Sequence, residues 1–318
     1  MAFSSVLQAL DLLDAAAVTG QAVADAIRAA GVERVEVKPL TGDKGSTDFV
    51  KVTVPGTRGR LAGGEAPTLG IVGRLGGIGA RPEKVGLVSD GDGAVTAVAC
   101  ALELGRMTRA GDRLPGDVLL ATHVCPAAPI IQHPVVTMMN SPVDMATLNR
   151  EEVQPEMEAI LSVDTTRGNR VVNHRGFAIS PTVREGWILR VSEDLLTLVQ
   201  HVTGRMPVVL PITMQDITPY GNGLVHLNSI LQPSTATAAP VVGVALTAEV
   251  AVPGSATGAS QPADIELAVR FCLEVAKAFG ARQCRFHDPE EWEAIQRRYG
   301  PMTVLQTLGR GSEAPAAR

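Results

Sequence analysis

Residues Leu87–Gly93, reading Leu-Val-Ser-Asp-Gly-Asp-Gly, set two acids among glycines between an apolar run and a helical pattern at Val95, Val98, Ala99, Leu102 and Met107. That order predicts a buried strand, a tight turn and a helix packed back on the sheet. Two further apolar runs end in side chains that bind metals, Val118-Leu-Leu-Ala-Thr-His123 and Ile160-Leu-Ser-Val-Asp164. Strand-like runs of this kind alternate with helical ones along the chain. The pattern predicts an α/β fold, a three-layer α/β/α sandwich with a mixed, largely parallel central sheet. Ligands of open α/β sheets sit in the crevice at the carboxyl ends of the strands. The three strand ends are therefore expected to meet and form the site.

Composition narrows the function classes. Hydrophobic residues make up 45% and aromatics 3%, so the core is aliphatic. A net charge of −5 and the lack of any basic run argue against a nucleic-acid partner. No uninterrupted apolar stretch reaches membrane-spanning length, and the N-terminus reads as neither signal nor anchor. A soluble cytoplasmic protein is expected. Cys100, Cys125, Cys272 and Cys284 are widely spaced with no Cys-x-x-Cys pair, and are expected as reduced thiols.

In chain order, helical periodicity runs over residues 4–30, with a break at Gly20 and a C-cap at Gly31. Val35–Val37 and Phe49–Val54 read as strands joined through Thr41–Ser46, within an edge hairpin region spanning 33–67. Leu69–Val72 is a strand running into Gly73-Arg-Leu-Gly-Gly-Ile-Gly79, after which Pro82 precedes another strand. This glycine-dense turn matches neither phosphate-loop fingerprint. Residues 130–158 read as irregular, with a short helix over 144–151. Phe177–Ile179 and Trp187–Val191 frame an antiparallel pair, Ser192 caps a helix ending at Gly204, and Val208–Ile212 is a further strand. Val241–Leu246 is a buried strand, and Pro262–Phe279 an amphipathic helix. The whole reads as one domain over 1–308 with a flexible tail over 309–318.

Asp90, Asp92, His123 and Asp164 supply the oxygen and nitrogen donors a divalent metal such as zinc takes. Each has a structural alternative: an Asx-turn for Asp90, a helix N-cap for Asp92, a buried histidine satisfied by backbone for His123, and a cap on the polar Thr165-Thr166 loop for Asp164. Glu249, just after a buried strand, is the best remaining carboxylate for general-base work, against a solvent-exposed acid. His174 joins it as a catalytic candidate. Arg175 is suited to a substrate carboxylate, with a structural salt bridge as the alternative. Asp216 and Asn222, in the polar segment 215–223, and Ser260 are taken as substrate-facing.

The order of these pieces resembles the co-catalytic zinc aminopeptidase and deacylase superfamily. Val88-Ser-Asp-Gly-Asp-Gly-Ala-Val95 is similar to the element carrying that superfamily's metal-bridging Asp, and Ile160–Thr166 to its strand with an acidic ligand. The place of the first-strand His ligand reads Gly73-Arg-Leu-Gly76, that of the general-base Glu is Thr122, and that of the final His is Ser260 or Gln261. More closely, nearly the whole chain is similar to a family of uncharacterised bacterial and archaeal proteins of about this length. The resemblance implies a zinc-exopeptidase-like fold, self-association into a homo-oligomer, and one cation held by Asp90, Asp92, His123 and Asp164.

Two functions follow as expectations. One is a metal-dependent hydrolase acting on the amide bond of a small peptide or an acylated amino acid. The other is a non-catalytic small-molecule-binding or regulatory protein on the same fold. A thiol mechanism at Cys125, two residues from His123 on one strand face, is a third arrangement.

Overall fold

The computed structural model describes residues 2–80, 86–132, 137–167, 170–252 and 254–310. Pro82, Asn169 and the tail from 311 onward, named above, lie outside these residues. Two helices open the chain, α1 (Ala2–Leu13) and α2 (Gly20–Ala30), separated where Thr19 accepts the Ala22 N–H at 3.1 Å as N-cap. Gly31 closes α2 at φ +123°, the expected C-cap. The hairpin β1 (Arg34–Gly42) and β2 (Gly45–Val54) follows, then β3 (Leu69–Gly73), α3 (Asp92–Arg109) and β4 (Val118–Val124). A small hairpin, β5 (Ile130–Gln132) with β6 (Thr137–Met139), leads to α4 (Met145–Glu152) and β7 (Ala159–Thr165). Next come β8 (Gly176–Ile179), β9 (Val183–Arg184), β10 (Trp187–Ile188) and α5 (Glu193–Thr203). The last elements are β11 (Val241–Thr247), α6 (Pro262–Gly280) and α7 (Pro289–Tyr299).

The sheet runs β1-β2-β4-β3-β7-β11-β9-β10, with β8 also on β11. Its centre, β4-β3-β7-β11, is parallel, and the flanking strands are antiparallel. Every residue of β3, β4 and β11 is buried, as two covered faces require. Alternate residues divide between those faces. Leu69, Ile71, Leu120, Leu161, Val163 and Val244 pack with α1, α2, α3, α5 and α6 in one core. Val72, Leu119, Ile160, Val241 and Ala245 face the other layer, where α4 and the one-turn helices at 215–217 and 232–236 lie. Helices thus cover both sides, the expected sandwich.

The first turn of α3 lies directly on the ends of β3 and β7. A Cβ on Gly93 would stand 2.6 Å from the carbonyl oxygens of both Arg74 and Val163, so glycine is required for that approach.

Three expectations change. Leu87 and Val88 form no strand: Ser89–Gly91 is a single 3-10 turn leading into α3, and the Val88 N–H donates to Ile78 O at 3.1 Å. Phe177–Ile179 pairs with β11, while Trp187–Ile188 pairs with Val183–Arg184 across the tight turn at Glu185-Gly186. Val208–Ile212 makes only an isolated bridge at Val209, opposite Ile179. In each case a short apolar run is spent on packing or on a nearer partner. Among the described residues no helix is long and apolar enough to cross a membrane.

Candidate functional site

The period of two along a strand decides which side chains meet. Arg74 continues the parity of Val72, His123 that of Leu119, and Asp164 that of Ile160, so all three leave the sheet on the α4 side. Their strands are neighbours in the order β4-β3-β7, with Arg74 in the middle. On α4, Leu148, Asn149 and Glu152 lie on one face at helical spacing and are all buried.

The result is a buried ionic cluster. Arg74 and Glu152 are both 0% exposed and form an ion pair. Glu152 also holds His123 Nδ1 at 3.0 Å, and Phe49 packs on the imidazole with ring centroids 5.4 Å apart. Arg74 further donates to Asn149 Oδ1 at 3.2 Å. Asp164 accepts the Ser229 hydroxyl and the Thr165 N–H, each at 2.7 Å. Burial pushes the Asp164 carboxyl up to about 6, against the pull of Ser229 and Arg74. Tyr220 stands close enough to Asp164 and Arg74 for both charges to act on its phenol, whose pKa is raised chiefly by burial.

A second ion pair sits at the start of α3. Asp92 bonds Arg167, both fully buried, and accepts the Ser260 hydroxyl at 2.5 Å. Asp92 is the first residue of α3 and not its N-cap; Gly91 holds that position. Asp90, 4% exposed, lies in the 3-10 turn just before Asp92. Burial, then the neighbouring charges of Asp164 and Asp92, push its carboxyl well above the ordinary range, and Ser255 offsets this in part. Thr165 Oγ1 donates to Ser89 O at 2.5 Å, tying the end of β7 to that turn.

The other sequence candidates fall elsewhere. His174 bonds Phe177 O at 2.9 Å, within its own turn. Arg175, 59% exposed, stands 3.5 Å from Asp264 Oδ1, the salt-bridge alternative. Asp216 is buried and accepts from the backbone N–H groups of Thr213, Leu227 and Asn228, so its carboxylate braces the loop from inside. Asn222 donates to Thr218 Oγ1 at 2.8 Å in the same loop. Glu249 is exposed beyond the end of β11 and has no bond to the cluster among the described residues. All four cysteines are free, and burial pushes the Cys125 thiol up to about 11, the direction opposite to that of an activated nucleophile.

Sequence reasoning passed over Arg74 as part of a glycine turn and Arg167 as part of an exit loop, gave Tyr220 no role beyond its place in the substrate-facing segment 215–223, and missed Glu152. The signals were present but local: a lone charge directly after a buried strand, and an acid four residues after Leu148 on an amphipathic helix.

A family described as "Protein of unknown function (DUF1177)" matches residues 38–309, which include the whole cluster. The chain belongs to this DUF1177 family. Comparison with curated proteins finds no match. Among solved structures, the chain is similar to the bottromycin maturation enzyme BotP in complex with Mn, at 17% identity and a TM-score of 0.52, covering 88% of this chain and 71% of that one. It is also similar to a glutaminyl cyclase from an Acidobacteriales bacterium (13%, TM-score 0.51, covering 88% and 94%). A glutaminyl cyclase from Macrostomum lignano gives 11% and 0.51, covering 89% and 90%. At these identities the likeness establishes the fold of the DUF1177 chain, a glutaminyl cyclase/aminopeptidase-like sandwich.

Whether this donor set fits a divalent metal is answered by its own partners. Among the described residues no three His, Cys, Asp or Glu side chains are placed to hold one ion. His123 is turned to Glu152, Glu152 to Arg74, and Asp92 to Arg167 and Ser260. Two permanent guanidinium charges stand where a cation would need uncompensated carboxylates. As arranged, the residues do not fit a metal: of the four expected ligands, His123 is taken by Glu152 and Asp92 by Arg167 and Ser260.

Asp164 carries a pH prediction. Its carboxyl titrates near 6 when folded against an ordinary 3.8, so folding favours the protonated form. The contribution is fully present below about pH 4 and is lost as pH rises through about 6, amounting to about 3 kcal/mol at most. Asp164→Asn should therefore gain stability relative to the native chain between about pH 4 and about pH 7, read from urea midpoints. A difference between the two proteins that stays constant with pH would contradict this assignment.

Proposed function

We propose that this chain recognises an amide-containing small molecule, a peptide or an acylated amino acid, at the carboxyl ends of β4, β3 and β7 without a metal. The observation that carries the reading is the pair of buried guanidinium groups, Arg74 and Arg167, that already neutralise Glu152 and Asp92 at this rim. Asp90 and Asp164, bonded to hydroxyl and backbone donors, are the acceptors left for an amide N–H or an ammonium group. Tyr220 offers a phenol beside them. The ligand class follows the fold, two of whose members named above are glutaminyl cyclases. Because both carboxyls are almost fully buried, entry requires local opening of the segments on them, Ser229 at Asp164 and Ser255 at Asp90.

A second reading, metal-dependent hydrolysis of such an amide, draws support from one feature. Asp90 and Asp164 lie close enough to repel each other, and neither forms an ion pair with a guanidinium among the described residues. Metal analysis of protein purified without a His tag separates the two, together with thermal shifts by peptides and acylated amino acids. Substoichiometric metal and ligand shifts unaffected by chelator are expected. Stoichiometric metal, or hydrolysis that a chelator abolishes, would establish the second reading instead.

A further inference from the structure

The far edge of the sheet carries a second concave site, sharing no residue with the rim. β10 is the last strand there, and α7 runs beside it, clamped at both ends. Trp187 Nε1 donates to Gly300 O at 2.9 Å where α7 stops, and Arg190 Nε reaches Glu291 Oε2 at 2.8 Å in its first turn. Between these clamps the two elements do not close on each other. A cavity of about 390 Å³ remains, with Ile188 and Leu189 on one wall and Trp292, Ile295 and Tyr299 on the other. Its size and apolar walls are those of a small-molecule pocket. Aromatic residues make up only 3% of the chain, yet both tryptophans and one of the two tyrosines stand here. Trp187 packs on Tyr299 with ring centroids 6.1 Å apart, and the Arg184 guanidinium lies 4.5 Å over the Trp292 ring.

The polar groups of this pocket decide the sign of its ligand. His287 Nε2 accepts from Arg184 at 2.7 Å, because a guanidinium can only donate. Burial, then the charge of Arg184, pulls the imidazole pKa down to about 4, so the ring is neutral and its one proton sits on Nδ1. That buried N–H has no acceptor among the described residues. Arg298, also on the wall, forms no ion pair among them, whereas Asp288 and Glu291 are both engaged by Arg190. What is left over is therefore one N–H donor and one positive charge. We infer that the groove between β10 and α7 binds a planar aromatic carboxylate, its ring against Trp292 and Tyr299 and its charge met by Arg298 and the His287 N–H. An aliphatic acid would leave the aromatic wall unused. An ammonium ligand would find both carboxylates already taken.

The two indole N–H signals in the proton–nitrogen NMR spectrum of the full chain read this site directly, because the chain has no other tryptophan. Titration with naphthoate should shift both signals saturably, with a Kd at or below about 1 mM. The matching naphthamide keeps the ring and loses the charge. Arg298→Ala keeps the pocket and loses its free cation, and this exposed side chain can be removed without disturbing the fold. Naphthamide on native protein, and naphthoate on Arg298→Ala, should each bind at least about fivefold more weakly. Indole signals that stay in place throughout the titration would overturn the inference. So would acid and amide binding equally, or Arg298→Ala binding naphthoate as tightly as native protein. Signals that move with protein concentration alone would give the groove to a second copy of the chain and overturn it as well.

Discussion

Glu152→Ala is expected to destabilise the chain by about 3–5 kcal/mol, the cost of stripping one partner from a fully buried ion pair. Arg74 would be left as an uncompensated charge at 0% exposure, and His123 would lose the Glu152 contact to its Nδ1 at 3.0 Å. Domains of ordinary stability hold about 5–15 kcal/mol in total, so the variant should be marginal. Denaturant unfolding with the midpoint compared at constant slope gives the value. The pair itself is not expected to be the source of stability. Arg74→Met combined with Glu152→Leu should recover much of the loss, since apolar residues of similar volume avoid the burial of charge. If the single variant loses less than about 1 kcal/mol, the pair is not buried as described.

Gly76→Ala should be at least as severe, for a steric reason. A Cβ there would run into the carbonyl oxygen of His123, well inside contact distance, and that oxygen belongs to backbone that cannot rotate away. Gly76 O also accepts the Cys125 N–H at 3.0 Å, so the exits of β3 and β4 are held together at this point. Forcing them apart moves Arg74 and His123 at once. Loss of soluble protein, or destabilisation beyond about 4 kcal/mol, is expected. A well-folded Gly76→Ala protein with an unchanged melting temperature would show that the two exits do not approach so closely.

These two effects mark the boundary between what could be read in advance and what could not. The alternation of aliphatic runs with helical patterns was enough for the sandwich and for the parallel centre, because burying both faces of a strand demands continuous apolar residues. Caps were equally readable at Gly31, Ser192 and Gly204, where backbone geometry selects the residue. So was the idea that Asp90, His123 and Asp164 lie at one rim of the sheet. Their partners were not readable. Glu152 is 29 residues from His123 and 78 from Arg74, and Arg167 is 75 from Asp92. No local pattern records such pairs.

What the sequence determined by itself, then, was the run of buried strands that bring His123 and Asp164 to the carboxyl edge, since hydrophobic period and turn chemistry act over a few residues. Only the tertiary structure decided what each of them holds. Strand order put Arg74 between His123 and Asp164, and α4 closed over them with Glu152. Inside a low-dielectric layer a carboxylate pairs with whatever positive charge the fold brings nearest. Here that charge comes from arginines of the chain itself.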